Sequence, residues 1–224
     1  MAQRRASTSP TKAEEAFTTI RQRIARGELP GGAKLTLQAL STDLRMSLTP
    51  VREALRVLQA HGLVEYRPHH GHVVTRYSLR RAEEVYLLRT TLEPIAVELA
   101  AERMTDDRLA EIRSLHEEFC AVANREGVGH GAVVDLNALW HRKIYEAADT
   151  VYLEDFVDRL WTGMPYQAIW SVERRHESVT DHEAVMAALG DRHGELAAAA
   201  MRTHILRSQR ATISHLRDIG APER

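Results

Sequence analysis

Ser47-Leu48-Thr49-Pro50-Val51-Arg52-Glu53-Ala54-Leu55-Arg56-Val57-Leu58 is the stretch on which the reading of this chain turns. Val51, Ala54, Leu55 and Leu58 recur at helical spacing and make one apolar stripe. Arg52, Glu53, Arg56 and Gln59 fall on the other face. Thr49 suits an N-cap with Pro50 at the first helical position; Ser47 is the alternative, earlier cap. Gly62 marks the stop after His61. The segment reads as a short helix with one buried and one polar, arginine-bearing face.

The flanks give this helix a context. Upstream, a second short helix is predicted over Leu37 to Arg45. Before it, an amphipathic helix starts at Lys12, with Ala13, Phe17, Ile20 and Ile24 on its apolar stripe. That helix stops before Gly27, and Pro30-Gly31-Gly32 makes a turn. Downstream, Leu63-Val64-Glu65-Tyr66-Arg67 and His72-Val73-Val74-Thr75 read as two strands around the tight tip Pro68-His69-His70-Gly71. Three helices and a hairpin make a winged helix-turn-helix. Such a fold places its third helix in the major groove, where outward side chains reach base edges. Arg52 and Arg56, one turn apart, suit guanine acceptors or phosphates. The tip His69-His70-Gly71 suits a neighbouring minor groove. The plainer reading is a solvated helix face and a decorated loop.

The charge distribution points the same way. The formal net charge is -1 over 224 residues, with 30 basic and 31 acidic side chains. Residues 1–76 hold 12 basic and 6 acidic residues, a balance of +6. The remainder holds 18 and 25, a balance of -7. A basic first part joined to an acidic second part suggests that only the first meets a polyanion. No apolar run approaches the length needed to span a bilayer. Arg4 and Arg5 lack the apolar stretch that follows them in a signal peptide. The single cysteine, Cys120, excludes an internal disulfide framework and fits a reducing cytoplasm. The expected organisation is a flexible tail over 1–11, a winged helix-turn-helix over 12–76 and an all-α helical bundle over 77–224. The fold class is therefore mainly α with a small β-hairpin. Helices are expected near 78–104, 106–125, 131–148, 151–171, 180–189 and 192–218. Pro94 is expected to kink the first of these. Val85, Arg89, Leu92 and Ala96 share one line on it, with Leu88 and Leu99 beside them. Thr180-Asp181-His182-Glu183 reads as a capping box that places His182 in a first turn.

The first part resembles the winged-helix domain of the GntR-type bacterial transcription regulators. The resemblance rests on Gly27-Glu28-Leu29-Pro30-Gly31, Leu40-Ser41-Thr42-Asp43-Leu44, the stretch from Thr49 to Leu58, Gly62-Leu63-Val64 and Gly71-His72-Val73-Val74. It implies operator contacts from Arg45, Ser47, Thr49, Arg52, Glu53, Arg56, His69, His70 and Gly71. Leu48 stands where the family usually carries a DNA-contacting arginine, and Arg45 and Met46 replace the usual small residues of the turn.

In the second part, polar residues sit on stripes that should face inward. Asn137 and His141, four apart, share a face with Val133, Ile144 and Ala148. His182 aligns with Val185, Met186 and Leu189, and His204 with Ala197, Ala200, Met201 and Ala211. Three helices thus each turn a histidine toward a core. Imidazole ligates zinc, nickel, copper or iron, and three histidines with open positions leave room for an anion. The plainer reading for any one of them is a hydrogen-bonded core histidine. His116, His130, His176, His193 and His215 are read as core or surface. Arg89, on an apolar stripe, suits a bound carboxylate, or else an intrahelical pair with Glu93. Trp161, Tyr166 and Trp170 are read as core or dimer-packing aromatics, with pocket lining as the alternative. Cys120 is read as a small buried residue.

Residues 78 to 218 resemble the all-helical FCD ligand-binding domain of the FadR branch of these regulators. The matching elements are Leu88-Arg89-Thr90-Thr91-Leu92-Glu93-Pro94, Asn137-Ala138-Leu139-Trp140-His141, Asp181-His182-Glu183 and Arg202-Thr203-His204-Ile205. The resemblance implies a divalent transition metal, zinc or nickel first, held by His141, His182 and His204. Asn137 occupies the position of the family's aspartate ligand, and Asp135 faces elsewhere. The chain is thus expected to be a homodimeric regulator of palindromic double-stranded operator DNA. Its control would come from a small carboxylate effector that uses Arg89. The alternatives are a metal-dependent hydrolase built on the three histidines and a constitutive repressor with a vestigial pocket.

Overall fold

The computed structural model describes residues 10–125, 130–162 and 172–223. It divides into two compact units, Met1–Arg76 and Tyr77–Arg224. Residues 1–9 of the expected tail lie outside the described residues. Thr11 is already structural: it caps the first helix in a capping box, with Thr11 N–H donating to Glu14 Oε2 at 2.7 Å and Glu14 N–H to Thr11 Oγ1 at 3.2 Å.

The first unit contains α1 (Lys12–Ala25), β1 (Lys34–Leu35), α2 (Leu37–Leu44), α3 (Leu48–Ala60), β2 (Val64–Arg67) and β3 (Gly71–Val74). The sheet order is β1-β3-β2, antiparallel throughout, with Lys34 opposite Val73 and Val64 opposite Val74. Strand β1 was not expected; two residues are too few to carry a period, and pairing with β3 defines it. The core joins Ala16, Ile20 and Ile24 of α1 to Val51, Ala54, Leu55 and Leu58 of α3, with Leu40, Val64 and Val74. On α1 the fully buried line is Ala16, Ile20 and Ile24; the expected Ala13 and Phe17 are only half-buried. Helix α3 starts two residues earlier than the Thr49 cap implied. Ser47 is its N-cap, without a side-chain cap bond, and Thr49 and Pro50 lie inside the first turn.

The turn between α2 and α3 is tight because Arg45 adopts the left-handed conformation, φ 54° and ψ 42°. Met46 N–H then returns to Ser41 O at 3.0 Å and Ser41 Oγ donates to Met46 O at 2.5 Å. At the wing tip, His69 and Gly71 both take positive φ, 64° and 77°. His70 N–H closes the turn on Arg67 O at 3.0 Å.

The second unit contains α4 (Leu79–Arg103), α5 (Asp106–Ala123), α6 (His130–Ala147), α7 (Val151–Thr162), α8 (Val172–Gly190) and α9 (Gly194–Asp218). Helix α4 packs along α9, α8 along α9 and α5 along α6. Tyr86, Val97, Trp140, Ile144, Val185, Leu189, Met201 and Ile205 form the centre of its core. The inward line of α4 runs through Ala82, Tyr86, Arg89, Glu93, Val97 and Ala100, while Leu88, expected beside it, is exposed. Helix α4 continues without interruption through Pro94. The backbone beyond α9 turns back, and Pro222 O and Glu223 O accept from the first α4 amides, Leu79 N–H at 3.0 Å and Arg80 N–H at 3.2 Å. These are amides that no intrahelical acceptor can reach.

Two expectations for this unit are corrected. Thr180 is not a cap: α8 begins at Val172, and the Thr180 hydroxyl bonds to His176 O within it, so His182 lies mid-helix. Upstream of it, Arg174, Arg175 and Ser178 are already helical and buried. Cys120 is half-buried rather than buried, with His116 Nε2 at 3.5 Å from its sulfur. The expected helix end over 163–171, with Tyr166 and Trp170, lies outside the described residues, as does the side chain of His130. Among the described residues no helix is long and apolar enough to cross a membrane.

Candidate functional site

The third helix presents its polar face as its period requires. Arg52, Glu53, Arg56 and Gln59 are exposed opposite the buried Val51, Ala54, Leu55 and Leu58. Arg56 Nη1 meets Glu53 Oε1 at 3.3 Å, a surface pair worth little and easily exchanged for another partner. Arg45, Ser47 and Thr49 are exposed at the start of the same helix, and Leu48 is 39% exposed beside them. His69 and His70 are exposed at the wing tip, where Gly71 leaves open space.

In the helical unit the three histidines come together. His141 on α6 and His182 on α8 are fully buried, and His204 on α9 is 3% exposed. One ring nitrogen from each lies within 4.8 Å of the others. Their rings are in mutual contact, with centroids 4.8 to 5.2 Å apart. His182 stacks on Trp140 at 3.9 Å and 19°. Asn137 is buried on α6, one turn before His141. The other histidines do not join: His116 sits on α5 with its ring 6.0 Å from His182, His176 and His193 are exposed, and His215 is half-buried.

All three imidazoles are held neutral. Burial is the main cause for each and pushes its pKa well below the ordinary histidine value. Repulsion adds to it. His204 and His182 act on His141, His204 and His116 on His182, and the Arg174 and Arg89 guanidiniums on His204. Neutral imidazole is the form that ligates a metal.

The donor set also fits an ion by its loose ends. Asn137 Oδ1, His141 Nε2 and both ring nitrogens of His182 are buried with no hydrogen-bond partner. Unpartnered buried polar atoms are costly, and several at one place ask for an explanation. A single transition-metal ion with bonds of about 2.0–2.1 Å would satisfy several of them after a small contraction of the triad.

Arg89 takes the alternative considered for it. Its Nε donates to Glu93 Oε1 at 2.5 Å, and it lies over the Tyr86 and Trp161 rings at 5.1 and 4.8 Å. Glu93, fully buried, also accepts from Trp161 Nε1 at 3.0 Å and from the Tyr145 hydroxyl. Trp161 is thus a core residue with a polar task. Sequence reasoning missed Tyr145, Asp181 and Arg174 as parts of the site. Tyr145 lies four residues after His141, so the spacing held the signal. Asp181 accepts from Arg207 Nη1 and faces His204 Nδ1 at 3.3 Å, while Arg174 Nη1 lies 3.7 Å from it.

A winged helix-turn-helix with an exposed arginine face, carried by one chain with a helical unit that turns three histidines inward, has the architecture of a DNA-binding regulator. Comparison with known proteins gives the same class. Residues 12–74 match the bacterial regulatory proteins of the gntR family, and residues 84–207 match the FCD domain. The chain belongs to the GntR family of bacterial transcription regulators, in the branch that carries an FCD domain.

It is 30% identical to the HTH-type transcriptional regulator McbR of Escherichia coli over 76% of this chain and 78% of that one. It is 29% identical to a probable D-xylose utilization operon transcriptional repressor of Paenarthrobacter nicotinovorans, over 88% and 87%. The solved structure of E. coli McbR/YncC shares the fold, with TM-score 0.80 and 24% identity over 89% of this chain and 95% of that one. These relatives are transcriptional regulators, not enzymes. The hydrolase reading is set aside with them, and Glu183, the carboxylate next to His182, is exposed.

Proposed function

We propose that this chain is a ligand-responsive regulator that acts in the cytoplasm as a homodimer on a palindromic operator. Two half-sites one or more helical turns apart need two winged helices. Arg52 and Arg56 are the proposed major-groove contacts, Arg45, Ser47, Thr49 and Glu53 orient the helix start on the backbone and neighbouring bases, and His69, His70 and Gly71 approach the minor groove. In the helical unit His141, His182 and His204, with Asn137, hold a divalent ion, zinc or nickel first. When bound, the ion supplies a Lewis-acidic position for an anionic ligand.

The donor chemistry supports an anionic ligand. Three neutral imidazoles and an amide bring no negative charge to a dication, and the positive charges of Arg89 and Arg174 bear on the triad. A small carboxylate metabolite neutralises that excess. Arg89 is itself paired with Glu93, which offsets part of its contribution to that field. Ligand binding then shifts the dimer between states that differ in operator affinity.

The observation that carries the reading is the convergence of three neutral, buried histidines with unpartnered donor atoms at one point. Elemental analysis of the purified protein tests it, with His182→Ala as the comparison. Near-stoichiometric metal in the parent and none in the variant is the expected result. Equal occupancy in both refutes the ligand assignment. An organic-acid screen that reads both melting temperature and operator release tests the effector class.

A further inference from the structure

His141 and His204 each have one ring nitrogen within hydrogen-bond distance of a protein oxygen. His141 Nδ1 lies 3.1 Å from the Tyr145 hydroxyl, one turn along α6. That hydroxyl has a single proton, and it donates it to the carboxylate oxygen Glu93 Oε2 in preference to the weaker and more distant acceptor Met201 Sδ at 3.9 Å. Glu93 is paired with Arg89 and only accepts. The tyrosine oxygen is therefore left to accept, and the proton between the two residues belongs to His141 Nδ1. On the other side, His204 Nδ1 lies 3.3 Å from Asp181 Oδ2. Arg207 donates to the other oxygen of that carboxylate and Arg174 stands beside it. An acceptor flanked by two guanidiniums again places the proton on Nδ1 of the histidine.

We infer that Tyr145, anchored by Glu93, and Asp181 are positioning residues that hold His141 and His204 as Nδ1–H tautomers, so that both turn an unprotonated Nε2 to one ion. The inference rests on the metal reading proposed above and goes beyond it by assigning the groups that prepare the ligands. The arrangement opposes ordinary imidazole chemistry, since a neutral histidine side chain in water favours its proton on Nε2. It also explains why His141 Nε2 is buried without a partner. Hydrogen bonds of this kind raise the basicity of a ligating imidazole and fix its plane. His182 differs from the other two. Neither of its nitrogens has a partner, and its ring is stacked on Trp140 and packed at a tilt against Phe119. Asn137 brings no charge to the set, so basicity induced in the imidazoles matters more here than in a site with a carboxylate ligand.

The test uses the full chain labelled with 15N-histidine and stripped of metal. Long-range proton–nitrogen correlation reads the tautomer of each ring, with His141→Gln and His204→Gln for assignment. His141 and His204 are expected as Nδ1–H. Tyr145→Phe removes the acceptor and moves His141 toward Nε2–H. Asp181→Asn keeps one carbonyl oxygen for Arg207, turns its amide N–H toward His204 and moves that ring in the same sense. In a zinc titration against a chromophoric chelator, each variant is expected to bind roughly tenfold or more weakly. An Nε2–H signal for either ring in the parent protein overturns the inference, and that reading needs no variant to fold. Unchanged zinc affinity in both folded variants overturns the positioning role. A parent protein with both tautomers as assigned and no zinc uptake overturns the metal reading alone.

Discussion

Arg89 and Glu93 form an ion pair one helical turn apart on α4, with Nε 2.5 Å from Oε1 and both side chains sealed from solvent at 2% and 0% exposure. A pair so buried is neutral in sum but costly to halve. The guanidinium holds the carboxylate that in turn holds Tyr145 and Trp161.

Removing one partner therefore exposes the other's desolvation cost. Glu93→Gln or Arg89→Ala is expected to destabilise the helical unit by about 3–5 kcal/mol. The double change Arg89→Met with Glu93→Leu is expected to recover only part of this. Glu93 also accepts from Tyr145 and Trp161, and those donors would be stranded. Urea unfolding of the three variants checks it. Full recovery in the double variant would mean the pair acts alone rather than as the centre of a network.

Much of this fold was legible in the chain, and what escaped has physical causes. The stripe Val51, Ala54, Leu55 and Leu58 is buried as its spacing requires, because α3 turns one side to the core shared with α1, α2 and β2 and leaves the other in water. The inward turn of Asn137, His141, His182 and His204 was legible for the same reason. Glu93 was seen only as a partner for Arg89, since a carboxylate on an apolar line carries no sign of its further donors. Asp181 was hidden by a cap-like sequence that reads as a helix start, although α8 was already under way. Strand β1 exists only through its partner β3 and has no local signature.

The two exposed arginines of α3 should separate by salt dependence. If Arg52 reads a base edge, Arg52→Ala is expected to cost about 1–3 kcal/mol on the operator and little on random DNA. A phosphate role for Arg56 predicts a uniform loss for Arg56→Ala and a log–log salt slope smaller by about 1. Gel shifts at several salt concentrations on both DNAs decide between the roles. Unchanged operator affinity in Arg52→Ala would remove that residue from the interface.

The neutral triad makes the metal-free protein sensitive to acid. Burial sets the folded pKa values of His141, His182 and His204 well below the unfolded value of 6.5. Below that pH the unfolded chain binds more protons than the folded one, so stability falls as the pH falls. The contribution is complete above the unfolded value and is lost on the way down toward the folded ones, with a slope of up to about 1.4 kcal/mol per pH unit for each histidine. Denaturant midpoints of the metal-free protein between about pH 8 and pH 5 should decline on the acid side, and His182→Gln should decline less steeply. A flat profile would show that the three rings charge as easily in the fold as outside it.

Arg45 closes α2 in the left-handed region at φ 54°, a conformation that an arginine enters only at a cost. Left-handed geometry costs a side-chain-bearing residue about 1–2 kcal/mol, and glycine avoids it while giving back part of the gain as unfolded-state entropy. Arg45→Gly is therefore expected to stabilise the winged-helix unit by about 0.5–1 kcal/mol. The same change removes a cation beside the start of α3, where Arg45 is exposed. If Arg45 meets the operator as proposed, the variant melts higher and binds more weakly, with a smaller salt slope. A variant that is both more stable and equally tight on DNA would show that Arg45 serves only as a poor helix terminator.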